Sequence, residues 1–145
     1  MNTMGKRILV PLDGSSQAWE AFEFAIDEFP DDELVLLKVI NPAEAGYSAQ
    51  ASIPSFSEEW YEHAQSEAEH LFERARDRAA GQDVIVTEDT VVGKPSRAIV
   101  QYAEEHDVDQ IVMGSHGRSG VTRILLGSVA ENVVRSSTIP VTVAR

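Results

Sequence analysis

The spacing Gly114-x2-Gly117-x9-Gly127-Ser128 has the residue types for anion chemistry, and it begins directly after the apolar run Gln110–Met113. Glycines following a strand let the backbone approach a ligand and adopt positive φ. Unpaired N–H groups in such a turn, or at a helix N-terminus, form a concave anion site. Gly127-Ser128 interrupts residues that otherwise read as one helix from about Arg123 to Arg135. A glycine inside a helix costs about 1 kcal/mol relative to alanine. The helix proper is therefore expected to begin near Ser128, with Gly127 at its start, so that Ser128 offers a hydroxyl and a free N–H to the pocket. Each half of the spacing taken alone reads equally as a glycine-rich loop, a cap and tight packing. The full spacing after an apolar strand favours anion binding.

Asp13-Gly14-Ser15-Ser16 follows a second apolar run, Lys6–Leu12. It reads as a strand-to-helix turn with an Asp/Ser cap. It also has the chemistry of a nucleoside contact. In an open parallel sheet, ligands bind beyond the carboxyl ends of strands where the strand order reverses, and a carboxylate there accepts hydrogen bonds from ribose hydroxyls or an exocyclic amine. His116, inside the glycine spacing, is a conceivable base, but no G-x-S-x-G elbow or partner motif accompanies it, so it reads as a loop histidine near phosphates. His63, His70 and His106 fall on predicted helix surfaces. His63 and His70, seven apart, have no evident third ligand for zinc. No GxxxxGK[ST] and no GxGxxG occurs in the chain.

These residues have to be positioned by a fold, and the elements alternate. Lys6–Leu12 and Glu33–Ile40 are short, β-branched apolar runs that read as strands buried on both faces. Ser15 or Ser16 caps a helix whose Ala18, Phe22, Ala25, Ile26 and Phe29 recur at helical spacing until Pro30-Asp31-Asp32. Asn41–Ser57 is the one long irregular stretch, of a length that in a compact domain is often functional or mobile. Ser57–Ala80 is the longest helix, capped by Ser57. Glu58 and Glu59 lie at its start, and Arg74, Arg76 and Arg78 near its end. Its apolar stripe is Tyr61, Ala64, Ala68, Leu71, Phe72, Ala75 and Ala79. Val84–Val92 contains a third strand, Gly93-Lys94-Pro95-Ser96 opens a helix with Ile99, Val100 and Ala103 inward, Gln110–Met113 is a fourth strand and Ile139–Ala144 the last. The expected architecture is βαβαβαβαβ, a parallel sheet covered on both faces with right-handed crossovers.

Composition narrows the function classes. At 145 residues the chain is expected to form one domain over 1–145. There is no cysteine, which excludes disulfides, thiolate metal sites and a cysteine nucleophile. A net charge of −12 argues against nucleic acid as a partner. The charge is uneven: residues 1–113 carry a net −15, whereas residues 114–145 hold Arg118, Arg123, Arg135 and Arg145 against Glu131 alone. A small anion held in that segment would explain this, and so would a helix and an edge strand with few acidic positions. The acidic excess with only three lysines (Lys6, Lys38, Lys94) suits work in high salt. Thermal melts across a salt series test this, and full stability in dilute buffer would count against it. The first apolar stretch is too short for a signal-peptide core, so a cytoplasmic protein is expected. No run approaches the ~18 apolar residues of a membrane span.

Three segments, KRILVPLDGSSQAWEAFEFA, VVGKPSRAIVQYAEEHDVDQIVMGSHGRSGVTRILLGSVAENVV and IPVTVAR, carry a resemblance to the universal stress protein family over nearly the whole chain. Gly114-x2-Gly117-x9-Gly127-Ser128 matches without departure the nucleotide motif of the ATP-binding subgroup. The resemblance implies an α/β domain that is Rossmann-like and adenine-nucleotide alpha-hydrolase-like. Its single doubly wound five-stranded parallel sheet would have order 3-2-1-4-5 and four helices. That order puts the switch point between strands 1 and 4. Carried over by position, Pro11, Leu12 and Asp13 would line the adenosine end and Val39 would flank the adenine. Met113 and Gly114 would lie beneath the ribose. Backbone N–H groups around His116, Gly117 and Arg118 would meet the phosphates, with Gly127, Ser128 and Val129 closing the other side and Arg118 and Arg123 adding charge. ATP is the implied ligand, with Mg2+ or another divalent ion bridging phosphate oxygens but no dedicated carboxylate cage. The final strand, Thr138–Ala144, would be an edge strand that tolerates Pro140. The resemblance implies a homodimer by antiparallel pairing there.

The leading expectation is a stress-response regulatory protein that binds ATP or related adenine nucleotides as ligand or signal. A slow ATPase or nucleotidyl-transfer enzyme on the same fold is the first alternative. A protein-interaction module with a vestigial pocket is the second. Enzyme action is not expected, because no acid–base pair with matched surroundings and no catalytic lysine motif is found.

Overall fold

A computed structural model describes residues 5–44, 58–115 and 126–144. Five strands, β1 (Arg7–Pro11), β2 (Glu33–Ile40), β3 (Ile85–Val92), β4 (Gln110–Gly114) and β5 (Val141–Ala144), alternate with four helices. The helices are α1 (Ser16–Glu28), α2 (Glu58–Ala79), α3 (Pro95–Glu105) and α4 (Ser128–Ser136). The strands form one sheet in the order β3-β2-β1-β4-β5, and every pairing is parallel. This is the doubly wound order implied by the resemblance, with the reversal at β1 and β4.

Strand alternation sorts the side chains into two cores. Ile8, Val10, Leu34, Leu36 and Val112 point to the side covered by α1 and α2, where they meet Phe22, Leu71, Phe72 and Ala75. Leu9, Val35, Leu37, Ile111 and Met113 point to the side of α3 and α4, where they meet Ile99, Tyr102, Ala103, Ala130 and Val133. The middles of β1, β2 and β4 are thus buried on both faces, which is why their sequences are mainly apolar runs rather than alternating ones.

The α2 stripe is fully buried only at Ala68, Leu71, Phe72 and Ala75, and Tyr61, Ala64 and Ala79 are half-buried. Arg74 and Arg78 do more than face the helix dipole: both guanidinium groups lie over the Trp19 ring, 5.1 and 4.4 Å from its centroid. Arg78 also pairs with Glu23 of α1, and Arg76 with Glu88 of β3. At the other end of the sheet, Arg7 donates to Glu33 (3.2 Å) and to the His106 carbonyl (2.6 Å), so β1 is tied to β2 and to the end of α3.

Several boundaries differ from the sequence expectation. β5 starts at Val141 rather than Ile139, because Pro140 has no N–H to donate, although its carbonyl still accepts from Ile111 N–H at 3.0 Å. β1 ends at Pro11, and β4 runs on through Gly114. The Ser57 cap and residues 45–56 of the long connection lie outside the described residues. The first turn of that connection is described: Asn41 accepts from Ala43 N–H through its side chain and from Glu44 N–H through its carbonyl.

Candidate functional site

The turn after β1 is built by three adjacent residues. Asp13 Oδ1 accepts the Ser15 N–H at 2.9 Å. Gly14 has φ +85°, a conformation that needs glycine here. Ser15 caps α1, its Oγ accepting the Ala18 N–H at 3.1 Å. The turn therefore holds the Asp13 carboxylate in one orientation beyond the carboxyl end of β1. Asp13 Oδ2 makes no hydrogen bond among the described residues.

The start of α4 is built differently. Gly127 is its N-cap, with φ −67° and ψ 166°, and as a glycine it makes no side-chain cap bond. The Gly127 N–H is taken by the Ser115 carbonyl at 2.7 Å, so it is not a free donor. The first intrahelical bond runs from Glu131 N–H to the Gly127 carbonyl. The N–H groups of Ser128, Val129 and Ala130 are consequently the ones a helix leaves without an intrahelical acceptor.

At Gly114 the expected positive φ is not found. A Cβ added there would lie 2.7 Å from the carbonyl carbon and oxygen of Gln17 and 2.8 Å from Gln17 Cβ. Glycine at 114 lets β4 pass against the backbone of α1, so close helix packing is a steric reason for it that needs no ligand.

The two turns face one another across a cavity of about 590 Å³ beyond the carboxyl ends of β2, β1 and β4. Of the residues expected at the adenosine end, Pro11, Leu12, Asp13 and Val39 all line it. So do Met113 and Gly114 from β4, and Gly127, Ser128 and Val129 from the opposite wall. His116, Gly117, Arg118 and Arg123 lie outside the described residues. The sequence reading missed other parts of the wall. Ile99 and Ala130 add apolar surface on the α3/α4 side, Ser15 and Ala18 come from α1, and Lys38, Asn41 and Glu44 from β2 and the turn after it. The available signal was position: most of these follow a strand's carboxyl end or occupy the first turns of the next helix.

The cavity combines an apolar slot (Val39, Ile99, Met113, Ala130), an oriented carboxylate (Asp13) and a helix N-terminal turn of donors. A flat heterocycle, a polyol and an anion are the respective complements of those three parts. Among the described residues, no group of three or more His, Asp or Glu is placed to hold a metal ion, and no helix is long and apolar enough to cross a membrane. His63 pairs with Glu67, and His106 stacks on Tyr102 with centroids 3.8 Å apart.

Comparison with known proteins follows the same lines. A sequence model of the universal stress protein family matches residues 4–145. Universal stress protein MJ0577 of Methanocaldococcus jannaschii is 34% identical over 160 aligned residues, covering 100% of this chain and 98% of that protein. The solved structure of MJ0577 superposes with a TM-score of 0.82 at 35% identity, covering 98% of this chain and 96% of that one. A universal stress protein solved in complex with cAMP superposes with a TM-score of 0.65 at 27% identity, covering 99% of each chain.

Proposed function

The chain belongs to the universal stress protein family, and from that premise we propose that it is a regulatory protein of the stress response that binds an adenine nucleotide at the β1–β4 crevice. The nucleotide, ATP or a relative, acts as ligand or signal. Residues 1–145 work as one universal stress protein domain. The carrying observation is the cavity itself: at the topological switch point, one wall offers an oriented carboxylate and the facing wall a helix start whose N-cap is glycine. The cAMP complex of a relative supports the ligand class.

In this reading the adenine lies in the slot of Val39 and Ile99, and the ribose over Met113 and Gly114. Pro11 and Leu12 close the adenosine end. Asp13 Oδ2 accepts a ribose hydroxyl or the exocyclic amine. The N–H groups of Ser128 and Val129, with the Ser128 hydroxyl, meet phosphate oxygens, and Gly127 lets the chain turn into α4. His116, Gly117 and Arg118 complete the motif from the other side. A divalent ion would accompany the nucleotide and offset its phosphate charge; among the described residues no group of three or more carboxylates or histidines is placed to hold one.

The test is mass spectrometry of small molecules released from the purified protein, followed by calorimetry and a turnover assay. Bound adenine nucleotide that persists for hours is expected. Gly117→Val combined with Ser128→Ala should abolish most of that affinity while circular dichroism and oligomeric state stay unchanged. Unchanged affinity refutes the site. Multiple turnovers, lost in the same variant, would establish the slow ATPase instead, and no nucleotide binding the vestigial module.

A further inference from the structure

Lys38 is the one charged residue in the interior of β2, at the sixth position of the run ELVLLKVI. Alternation places it in the series of Leu34 and Leu36, on the α1/α2 side of the sheet, one step beyond the Leu12 N–H bond to the Leu37 carbonyl. Its side chain is half-buried and lines the cavity. In a chain with 24 acidic and 12 basic residues, counter-charges are plentiful. Yet Lys38 makes no ion pair or hydrogen bond among the described residues. The other described charges of the wall, Asp13 and Glu44, are both acidic. An ammonium group on a cavity wall with no described protein partner is a donor open to an anionic ligand, and a hydrogen bond between two ionised groups is stronger than a neutral one.

The position of Lys38 sets which part of the cavity its ammonium serves. Neighbouring strands are about 4.8 Å apart. β2 and β4 flank β1 on opposite sides, so Lys38 is roughly 10 Å across the sheet from Gly114 at the end of β4. The cavity continues over the end of β1 to reach it, past Leu12 and Ala18. We propose that Lys38 is a specificity-determining residue of this site: its ammonium holds a phosphate group of the ligand at the β2 end of the cavity, so that the site selects for charge there as well as for the base. This rests on the nucleotide reading above. The phosphate comes either from the ribose (a 3′-phosphate or a cyclic phosphodiester) or from the far end of a 5′ polyphosphate chain folded back across β1.

The experiment is calorimetry on the full chain with adenosine, adenosine 5′-phosphate, adenosine 3′-phosphate, cAMP and ATP. Wild type is compared with Lys38→Met, which keeps a straight chain of similar length, and with Lys38→Arg, which keeps the charge. Lys38→Gln replaces the methionine variant if circular dichroism shows the latter misfolded. Loss of one charge-assisted hydrogen bond predicts weakening of about tenfold or more for the phosphorylated ligand in Lys38→Met, with adenosine unchanged within about twofold. Lys38→Arg should retain most of the affinity. A fall confined to adenosine 3′-phosphate and cAMP identifies the ribose phosphate, and a fall that appears only with ATP identifies the chain. Equal weakening of adenosine and its phosphates overturns the proposal, because Lys38 would then read the nucleoside or support the wall. Wild-type affinities retained in Lys38→Met overturn it alone. A wild-type protein that binds none of the five ligands overturns the nucleotide reading, and this proposal with it.

Discussion

Replacing Gly114 with alanine separates packing from ligand approach, two explanations of the same glycine. The added Cβ would fall 2.7 Å from Gln17 C and O and 2.8 Å from Gln17 Cβ. Two of the three atoms are main chain within the first turn of α1, so no rotamer change relieves the contact and α1 has to shift on the sheet. Overpacking of this kind costs about 1–3 kcal/mol. At about 2.1 cal/mol/K per residue, unfolding 145 residues carries an entropy near 0.3 kcal/mol/K, so the melting temperature should fall by about 3–10 °C. The assay is thermal and urea unfolding of the ligand-free protein. The double variant Gly114→Ala, Gln17→Ala should show no recovery, because the backbone of residue 17 and its Cβ remain. A ligand-free melting temperature within about 1 °C of wild type, with only nucleotide affinity lost, would refute the packing argument.

Tyr102 donates to Asp89 at 2.8 Å, and burial first, then that bond, pushes its ionisation up to about 12. A phenol that ionises higher in the folded state than in the unfolded chain stabilises the fold fully below the ordinary value near 10 and loses that contribution as pH rises toward 12. Wild type should therefore lose stability between about pH 10 and 12 more steeply than Tyr102→Phe, read by urea midpoints; parallel slopes would contradict this. Ser15→Ala removes the α1 cap and should cost about 1 kcal/mol in urea unfolding, and a shift under about 0.3 kcal/mol would contradict the cap assignment. Among the described residues β5 pairs only with β4 and is an edge strand, so we expect the chain to form a two-fold dimer by antiparallel pairing of these edges. Sedimentation of a monomer at working concentration would remove that expectation.

What the sequence made legible follows from how local each cause is. β2 was readable to its ends, Glu33–Ile40, because a charged residue starts an apolar run interrupted only by Lys38 and Asn41-Pro42 ends it. α4 begins at Ser128 because Gly127 is a poor helix residue and a good cap, a property of one residue. The strand order came through family resemblance, since alternation fixes which faces are buried but not which strands are neighbours. The reason for Gly114 was out of reach, because it depends on where α1 passes in space. Lys38 was visible only as one of three lysines. Its place in the wall emerges once register and sheet order put the end of β2 beside the end of β1.

The central claim is that the first turn of α4 faces the phosphates of an adenine nucleotide across the β1–β4 crevice. A crystal structure of the protein grown with excess ATP tests it most directly. The account predicts phosphate oxygens about 2.7–3.2 Å from the backbone nitrogens of Ser128 and Val129, with the nucleoside on the Asp13 side. A crevice filled by the protein's own side chains, or nucleotide bound elsewhere, would contradict it.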